Sequence, residues 1–196
     1  FPGIITDIGK IINISNTDHR LIKIGCSYDE NDIDIGASIA CSGVCLTVIN
    51  KGNEQNQNYF EVEVSKETDD KTTTKFWKEG TKINLEKSLK VGDEIGGHFV
   101  YGHVDSTTTI NKIITLENSW EYHFKKDFRE NNKFIVEKGS IAINGISLTI
   151  ALVTDNSFMV SVIDHTFNNT NLNSSKVNDH VNIEYDYLSR FVLKNE

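Results

Sequence analysis

Proline occurs once in this 196-residue chain, at Pro2. Turns therefore fall to polar clusters such as Lys51-Gly52-Asn53 and Thr154-Asp155-Asn156. Cysteine occurs three times, as Cys26, Cys41 and Cys45, an odd count that argues against a disulfide framework and for a reducing compartment. No apolar run approaches the roughly 20 residues that cross a bilayer, and no signal-peptide pattern is visible. A cytoplasmic location is therefore expected. Basic residues are outnumbered: 20 Lys and Arg face 28 Asp and Glu, a net charge of −8 that argues against nucleic acid as a partner. Cys41 and Cys45 lack a second Cys/His pair at zinc spacing, so no metal is expected. Gly96-Gly97 lacks the full pattern of a phosphate or dinucleotide loop, so nucleotide binding is not expected either.

One stretch is present twice. Ser38-Ile39-Ala40-Cys41-Ser42-Gly43-Val44-Cys45-Leu46-Thr47-Val48 returns as Ser140-Ile141-Ala142-Ile143-Asn144-Gly145-Ile146-Ser147-Leu148-Thr149-Ile150 at an offset of 140 − 38 = 102. Phe60-Glu61-Val62-Glu63-Val64 matches Phe158-Met159-Val160-Ser161-Val162 at an offset of 98, as does Ile83-Asn84-Leu85-Glu86 with Val181-Asn182-Ile183-Glu184. Gly3-Ile4-Ile5 matches Gly102-His103-Val104 at 99. So long a period indicates a duplicated domain, since solenoid units span about 20–50 residues.

Within each copy the apolar residues alternate. Phe60, Val62 and Val64 face one way, and Phe158, Val160 and Val162 repeat the pattern. Short alternating runs separated by turns read as an all-β barrel or sandwich, one per repeat. The glycines Gly92, Gly96, Gly97 and Gly102 mark the junction, so residues 1–95 are expected to form the N-terminal unit and 96–186 the C-terminal one. In the tail, 187–196, Leu188, Phe191 and Val192 fall on one face of a short helix that must pack on its own domain or on a partner.

Chemistry is sought where the copies differ. Cys45 corresponds to Ser147, Ile4 to His103 and Glu67 to His165, while Thr47 and Thr149 are shared. Cys45 and Thr47 point to one side of a strand, although a buried inert cysteine is the commoner case. His98 and His103 lie in the glycine-rich segment, where a solvated loop histidine is the default reading. Histidine is nonetheless the side chain suited to moving a proton near neutral pH.

At these residues the sequence resembles the riboflavin synthase family, built from two lumazine-binding repeats. The resemblance runs through Phe1-Pro2-Gly3-Ile4-Ile5, Gly43-Val44-Cys45-Leu46-Thr47-Val48, Lys66-Glu67-Thr68, Gly96-Gly97-His98, Gly102-His103-Val104-Asp105 and Gly145-Ile146-Ser147-Leu148-Thr149. It implies two six-stranded antiparallel Greek-key barrels, a C-terminal helix and a homotrimer with sites shared between neighbouring subunits, and leaves room for association with lumazine synthase. It implies dismutation of two 6,7-dimethyl-8-ribityllumazine molecules by four-carbon transfer, without cofactor or metal. His103, Cys45, Ser147 and Thr149 carry the chemistry in this reading. Contacts to substrate are implied in the first repeat from Gly3, Ile4, Ile5, Ser38, Cys45, Leu46 and Thr47. The run Glu63-Val64-Ser65-Lys66-Glu67-Thr68 joins them. The second repeat supplies Gly102, His103, Val104, Lys138, Ser147, Leu148, Thr149 and the run Ile163-Asp164-His165-Thr166-Phe167-Asn168. Pro2 and Asp164-His165 depart from the usual residues. The competing class is a non-catalytic lumazine or flavin carrier of the same fold.

Overall fold

The structure is a computed structural model that describes residues 1–16, 19–126 and 130–193, the side chains of 130, 131 and 193 excepted. Short β-branched and aromatic alternation gives twelve strands, as pleated half-buried surfaces favour. The first six are β1 (Asp7–Asn16), β2 (Arg20–Cys26), β3 (Ser38–Cys41), β4 (Val44–Glu54), β5 (Gln57–Val64) and β6 (Lys82–Lys87). They close an antiparallel barrel in the order β1-β2-β5-β4-β3-β6. The second six are β7 (Ser106–Thr115), β8 (Ser119–Lys125), β9 (Ser140–Ile143), β10 (Ile146–Val153), β11 (Ser157–Ile163) and β12 (His180–Tyr185). They close a barrel of the same topology, β10-β11-β8-β7-β12-β9. Strands β3, β4 and β5 follow one another and β2 returns beside β5, the Greek-key arrangement. Closure removes the sheet edges that would otherwise invite pairing with other chains.

The duplication extends to irregularities. β1 bulges between Ile11 and Asn13 and β7 between Ile110 and Lys112. β4 bulges between Val48 and Asn50 and β10 between Ile150 and Leu152. Each inserted residue bends its strand, which a small barrel needs in order to close.

The repeated stretch is a hairpin in both copies. Cys41 pairs with Val44 across the two-residue turn Ser42-Gly43, and Ile143 pairs with Ile146 across Asn144-Gly145. Both turns have positive φ at both central residues, 45° and 82° in the first and 47° and 79° in the second, the geometry of a type I′ turn. The turns meet tip to tip. A Cβ on Gly43 would lie 2.6 Å from the backbone nitrogen of Gly145.

Each barrel has its own core. Ile11, Ile24, Phe60, Val62, Ile83 and Leu85 belong to the first, and Ile110, Tyr122, Phe124, Phe158, Val160 and Ile183 to the second. The outer faces of β6 and β12 are also buried, because they face the other barrel. Asn84 donates to the Asn144 carbonyl at 3.0 Å and accepts the Asn171 N–H at 2.6 Å. Its counterpart Asn182 donates to the Ser42 carbonyl at 2.8 Å and accepts the Thr73 N–H at 2.8 Å. The two barrels are thus joined by a pseudo-twofold set of hydrogen bonds.

Two short helices, α1 (Lys66–Lys71) and α2 (Asp164–Asn168), follow β5 and β11, and a third, α3 (Tyr187–Leu193), closes the described chain. The tail helix expected over 187–196 is α3, and residues 194–196 lie outside the described residues. Helix α3 docks on its own chain: the Tyr187 ring sits 4.3 Å from that of Tyr101, and the Arg190 guanidinium pairs with Asp105. Its apolar stripe faces outward, with Leu188 69%, Phe191 66% and Val192 66% exposed. Among the described residues no helix is long and apolar enough to cross a membrane.

Candidate active site

Each repeated hairpin is backed by the leading segment of the other repeat. The Gly102 carbonyl accepts the N–H of Cys45 at 2.9 Å, and the Gly3 carbonyl accepts the N–H of Ser147 at 2.8 Å. Val104 packs against the first barrel's core and Ile5 against the second's. By contact, then, Gly3-Ile4-Ile5 serves the second barrel, and Gly102-His103-Val104 the first. The crossing demands glycine. Gly102 has φ +77°, and a Cβ there would meet Cys45 Cβ at 2.5 Å; Gly3 has φ +75° and would meet Ser147 Cβ at 2.7 Å.

Cys45 and Thr47 lie on the outer side of β4, between the core residues Val44, Leu46 and Val48. Thr47 pairs with Ser38 and Thr149 with Ser140. Leu46, Val64 and Leu148 are buried core residues of their barrels, so they act through packing and not as exposed contacts. Phe167 is likewise engaged, its ring stacked on Trp120 at 3.7 Å and 5°. Ser65 caps α1: its hydroxyl accepts the N–H of Thr68 at 3.1 Å. Glu67 pairs with Lys71 at 2.8 Å on the exposed side of that helix. Glu63 pairs with His19 at 2.9 Å. Lys66, Lys138, Ile163, Asp164, His165 and Asn168 are exposed, with Thr166 half-buried.

His98 is not a solvated loop residue. Its Nδ1 lies 2.6 Å from Ser147 Oγ, and its Nε2 is buried without a hydrogen-bond partner. Burial pushes its pKa below the usual histidine value, with Asp186 opposing. A neutral ring beside a hydroxyl can accept that hydroxyl's proton. The sequence signal that could have found it is Gly96-Gly97: the backbone packs closely here, and a Cβ on Gly97 would lie 2.8 Å from Ser147 Oγ. His103 is exposed, its ring 6.2 Å from that of Tyr101.

Two carboxylates hold the crossing segments. Glu86 Oε1 accepts the N–H of Gly3 at 3.1 Å and of Ile4 at 3.2 Å. Glu184 Oε1 accepts the N–H of Tyr101 at 2.6 Å. Burial pushes both carboxyls up to about 7, against the pull of these donors.

A cavity of about 270 Å³ is lined by Ile5, Thr6, Asp7, Ile8, Asn168 and Asn169, beside the second barrel. A larger one, about 610 Å³, runs along the pseudo-twofold axis and is lined by repeat-related pairs such as Ser42 with Asn144 and Lys82 with His180. None of the residues expected to bind substrate lines it. Among the described residues no group of three or more His, Cys, Asp or Glu could hold a metal.

Two Lumazine binding domains match the chain, over residues 2–88 and 101–186. Duplicated barrels that both match this domain define a lumazine-binding protein of two domains. Riboflavin synthase of Brucella abortus (strain 2308) is 43% identical over 198 residues, which cover 99% of this chain and 96% of that protein. Riboflavin synthase of Bacillus subtilis (strain 168) is 36% identical, covering 99% and 88%. The chain belongs to the riboflavin synthase family. Among solved structures, LumP complexed with 6,7-dimethyl-8-(1'-D-ribityl) lumazine matches with a TM-score of 0.76 and 25% identity, covering 94% of this chain and 98% of that one. LumP complexed with riboflavin matches with a TM-score of 0.77.

Proposed function

We propose that the chain converts two molecules of 6,7-dimethyl-8-ribityllumazine into riboflavin and 5-amino-6-ribitylamino-pyrimidinedione. Four carbons leave one molecule and join the other. The two products together contain every atom of the two substrates, so the equation balances without a further reactant. The observation that carries this reading is the pair of pocket hairpins: they share one backbone geometry and differ in chemistry, with Cys45 in one and the Ser147–His98 pair in the other. Two identical substrates that play unlike roles call for such a pair.

The 7-methyl group of the donor ring is acidic, because its carbanion delocalises into the pteridine. His103 is the base that the family resemblance implies; the 2.6 Å contact of the His98 ring with the Ser147 hydroxyl supports His98, through that hydroxyl, as the group that takes the proton. Cys45, backed by the Gly102 segment that also carries His103, lines the other pocket beside Thr47. Thr149 and Lys138 complete the second pocket, toward the ribityl chain. Much of the rate is assigned to holding two rings in register, a term worth roughly 7–11 kcal/mol in favourable cases.

The outer pocket faces need a cover, and the outward apolar stripe of α3 supplies a reason to associate. Both fit a homotrimer in which the first barrel of one subunit faces the second barrel of the next. Its free thiols Cys26, Cys41 and Cys45 suit the cytoplasm. Incubation with the lumazine alone tests the reading: riboflavin should accumulate by absorbance. Binding without flavin formation would leave a carrier. Removal of 187–196 should give monomers with little turnover, and a truncated chain that still sediments as a trimer would refute the assembly.

A further inference from the structure

Glu86 and Glu184 occupy one repeat position, 184 − 86 = 98 residues apart, on the outer faces of β6 and β12. Each is 2% exposed. Groups buried so deeply normally use all their bonding capacity. These two use one oxygen each: Oε1 takes the segment N–H groups, and Oε2 is buried without a partner in both residues. Around Glu184 the N–H groups of Tyr101, Gly102 and His103 face the carboxylate. Asp105 raises its pKa, and Arg190 lies near enough to feel its charge. Around Glu86 the facing groups are the N–H of Gly3 and Ile4 and the charge of the leading amino group.

A buried carboxylate is costly, and an apolar residue would fill the space at lower cost. What an apolar residue could not do is fix the position of the crossing backbone. The segment under Glu184 bears the Gly102 carbonyl that holds the Cys45 N–H. The segment under Glu86 bears the Gly3 carbonyl that holds the Ser147 N–H. Each carboxylate therefore acts on a pocket strand of the opposite repeat, one hydrogen bond removed.

We propose that Glu86 and Glu184 are positioning residues for the reaction: Glu184 sets the backbone around Cys45, and Glu86 sets the backbone around Ser147. This rests on the reading of the hairpins as lumazine pockets. Neither carboxylate touches the reacting atoms in this proposal. The assignment is crossed, and that makes it specific: a change at Glu184 is felt at Cys45 and not at Ser147, whereas a change at Glu86 does the reverse.

The test uses the full chain with Glu184→Ala, Glu184→Gln, Glu86→Ala and Glu86→Gln. Cys45 is half-buried, whereas Cys26 and Cys41 are buried, so iodoacetamide labelling followed by mass spectrometry reads the Cys45 strand directly. Glu184→Ala should speed Cys45 labelling about fivefold or more, since thiol reactivity follows exposure. It should lower kcat roughly tenfold or more with KM little changed, because misplaced reacting groups cost rate. Glu184→Gln keeps an acceptor oxygen and should restore both. Glu86→Ala should lower kcat while leaving Cys45 labelling at the unmodified rate. Equal labelling in Glu184→Ala and the unmodified chain would overturn the proposal, as would equal acceleration by Glu86→Ala. Should the alanine variants fail to fold, the glutamine variants decide. Amides keep the hydrogen bond but not the charge, so kcat should lose its dependence on pH around about 7, and an unchanged pH profile would overturn the proposal. Lack of turnover by the unmodified chain would refute the functional reading instead, and the labelling comparison would still stand.

Discussion

The Ser147 hydroxyl and the His98 ring are 2.6 Å apart, Oγ to Nδ1. The two residues are 49 positions apart in sequence. Only the crossing of the leading segments over the barrels brings them together. The Ser147 hydroxyl thereby has a base at hand, whereas no histidine bonds to its repeat counterpart Cys45 among the described residues.

His98→Ala should lower kcat by roughly 10²–10⁴, the usual value of a positioned base, while lumazine binding is retained. Ser147→Ala should act alike, and the double variant should be little worse than either single one if the two work as a unit. Burial holds His98 below the ordinary histidine pKa. A base must be neutral, so protonation of His98 should lower the rate only as pH drops through that lowered value, below the change at about 7 that Glu86 and Glu184 bring. A double variant whose losses multiply would show that the residues act separately.

Gly102→Ala places a methyl 2.5 Å from Cys45 Cβ on a backbone with φ +77°. Strain of this kind costs about 1–3 kcal/mol. The thermal midpoint should fall by several degrees, since about 1 kcal/mol moves Tm by roughly 2–4 °C in a chain of this size. Gly96→Ala is the control, because its Cβ would meet only the Ile4 side chain, at 3.7 Å. Calorimetry of both variants checks the difference, and similar midpoints would contradict it.

Asn182→Ala removes the partner of the Ser42 carbonyl and of the Thr73 N–H at the barrel–barrel seam. Each buried group left unpaired costs about 1–3 kcal/mol, so the loss should exceed that of an exposed asparagine such as Asn156. Asn84→Ala should cost a similar amount, because its bonds to Asn144 and Asn171 are the repeat-related ones. Urea unfolding measures both. A loss well under about 1 kcal/mol for either would mean that water substitutes at the seam.

What the sequence made legible is what repeats within one barrel. The alternation of Phe60, Val62 and Val64 identified inward faces correctly, because period-two burial is a local signal. The copy of Ser38–Val48 at Ser140–Ile150 identified two related units. The hairpin turn has its own signal in Asn144-Gly145, which a comparison of the two copies with each other does not use. Glu86 and Glu184 alternate with core residues and look solvent-facing. Their outer face is covered by the other barrel, which no local pattern records. The same holds for His98: its partner comes from a crossing between repeats, and periodicity carries no information about such contacts.

The two segment-holding carboxylates should also be visible in stability against pH. Burial raises both Glu86 and Glu184 from the ordinary carboxyl value of 4.5 to about 7. A folded-state pKa above the unfolded one means that the folded chain binds the proton more tightly between the two values. Their contribution is therefore fully present below about 4.5 and is lost as pH rises through about 7. A shift near 7 − 4.5 = 2.5 corresponds to roughly 3 kcal/mol for each group, an upper bound. His98 has the opposite sign: its depressed pKa stabilises the fold above its ordinary value and loses that contribution as pH falls through the folded one. The two glutamates together outweigh the single histidine, so stability should fall as pH rises from about 4.5 to about 7. Urea midpoints at about pH 5.5, 6.5, 7.5 and 8.5 should decline between about 5.5 and 7 and level off above. In the chain carrying Glu86→Gln and Glu184→Gln the decline should largely vanish, because an amide does not titrate. Midpoints that decline equally in both chains would assign the effect to other carboxylates.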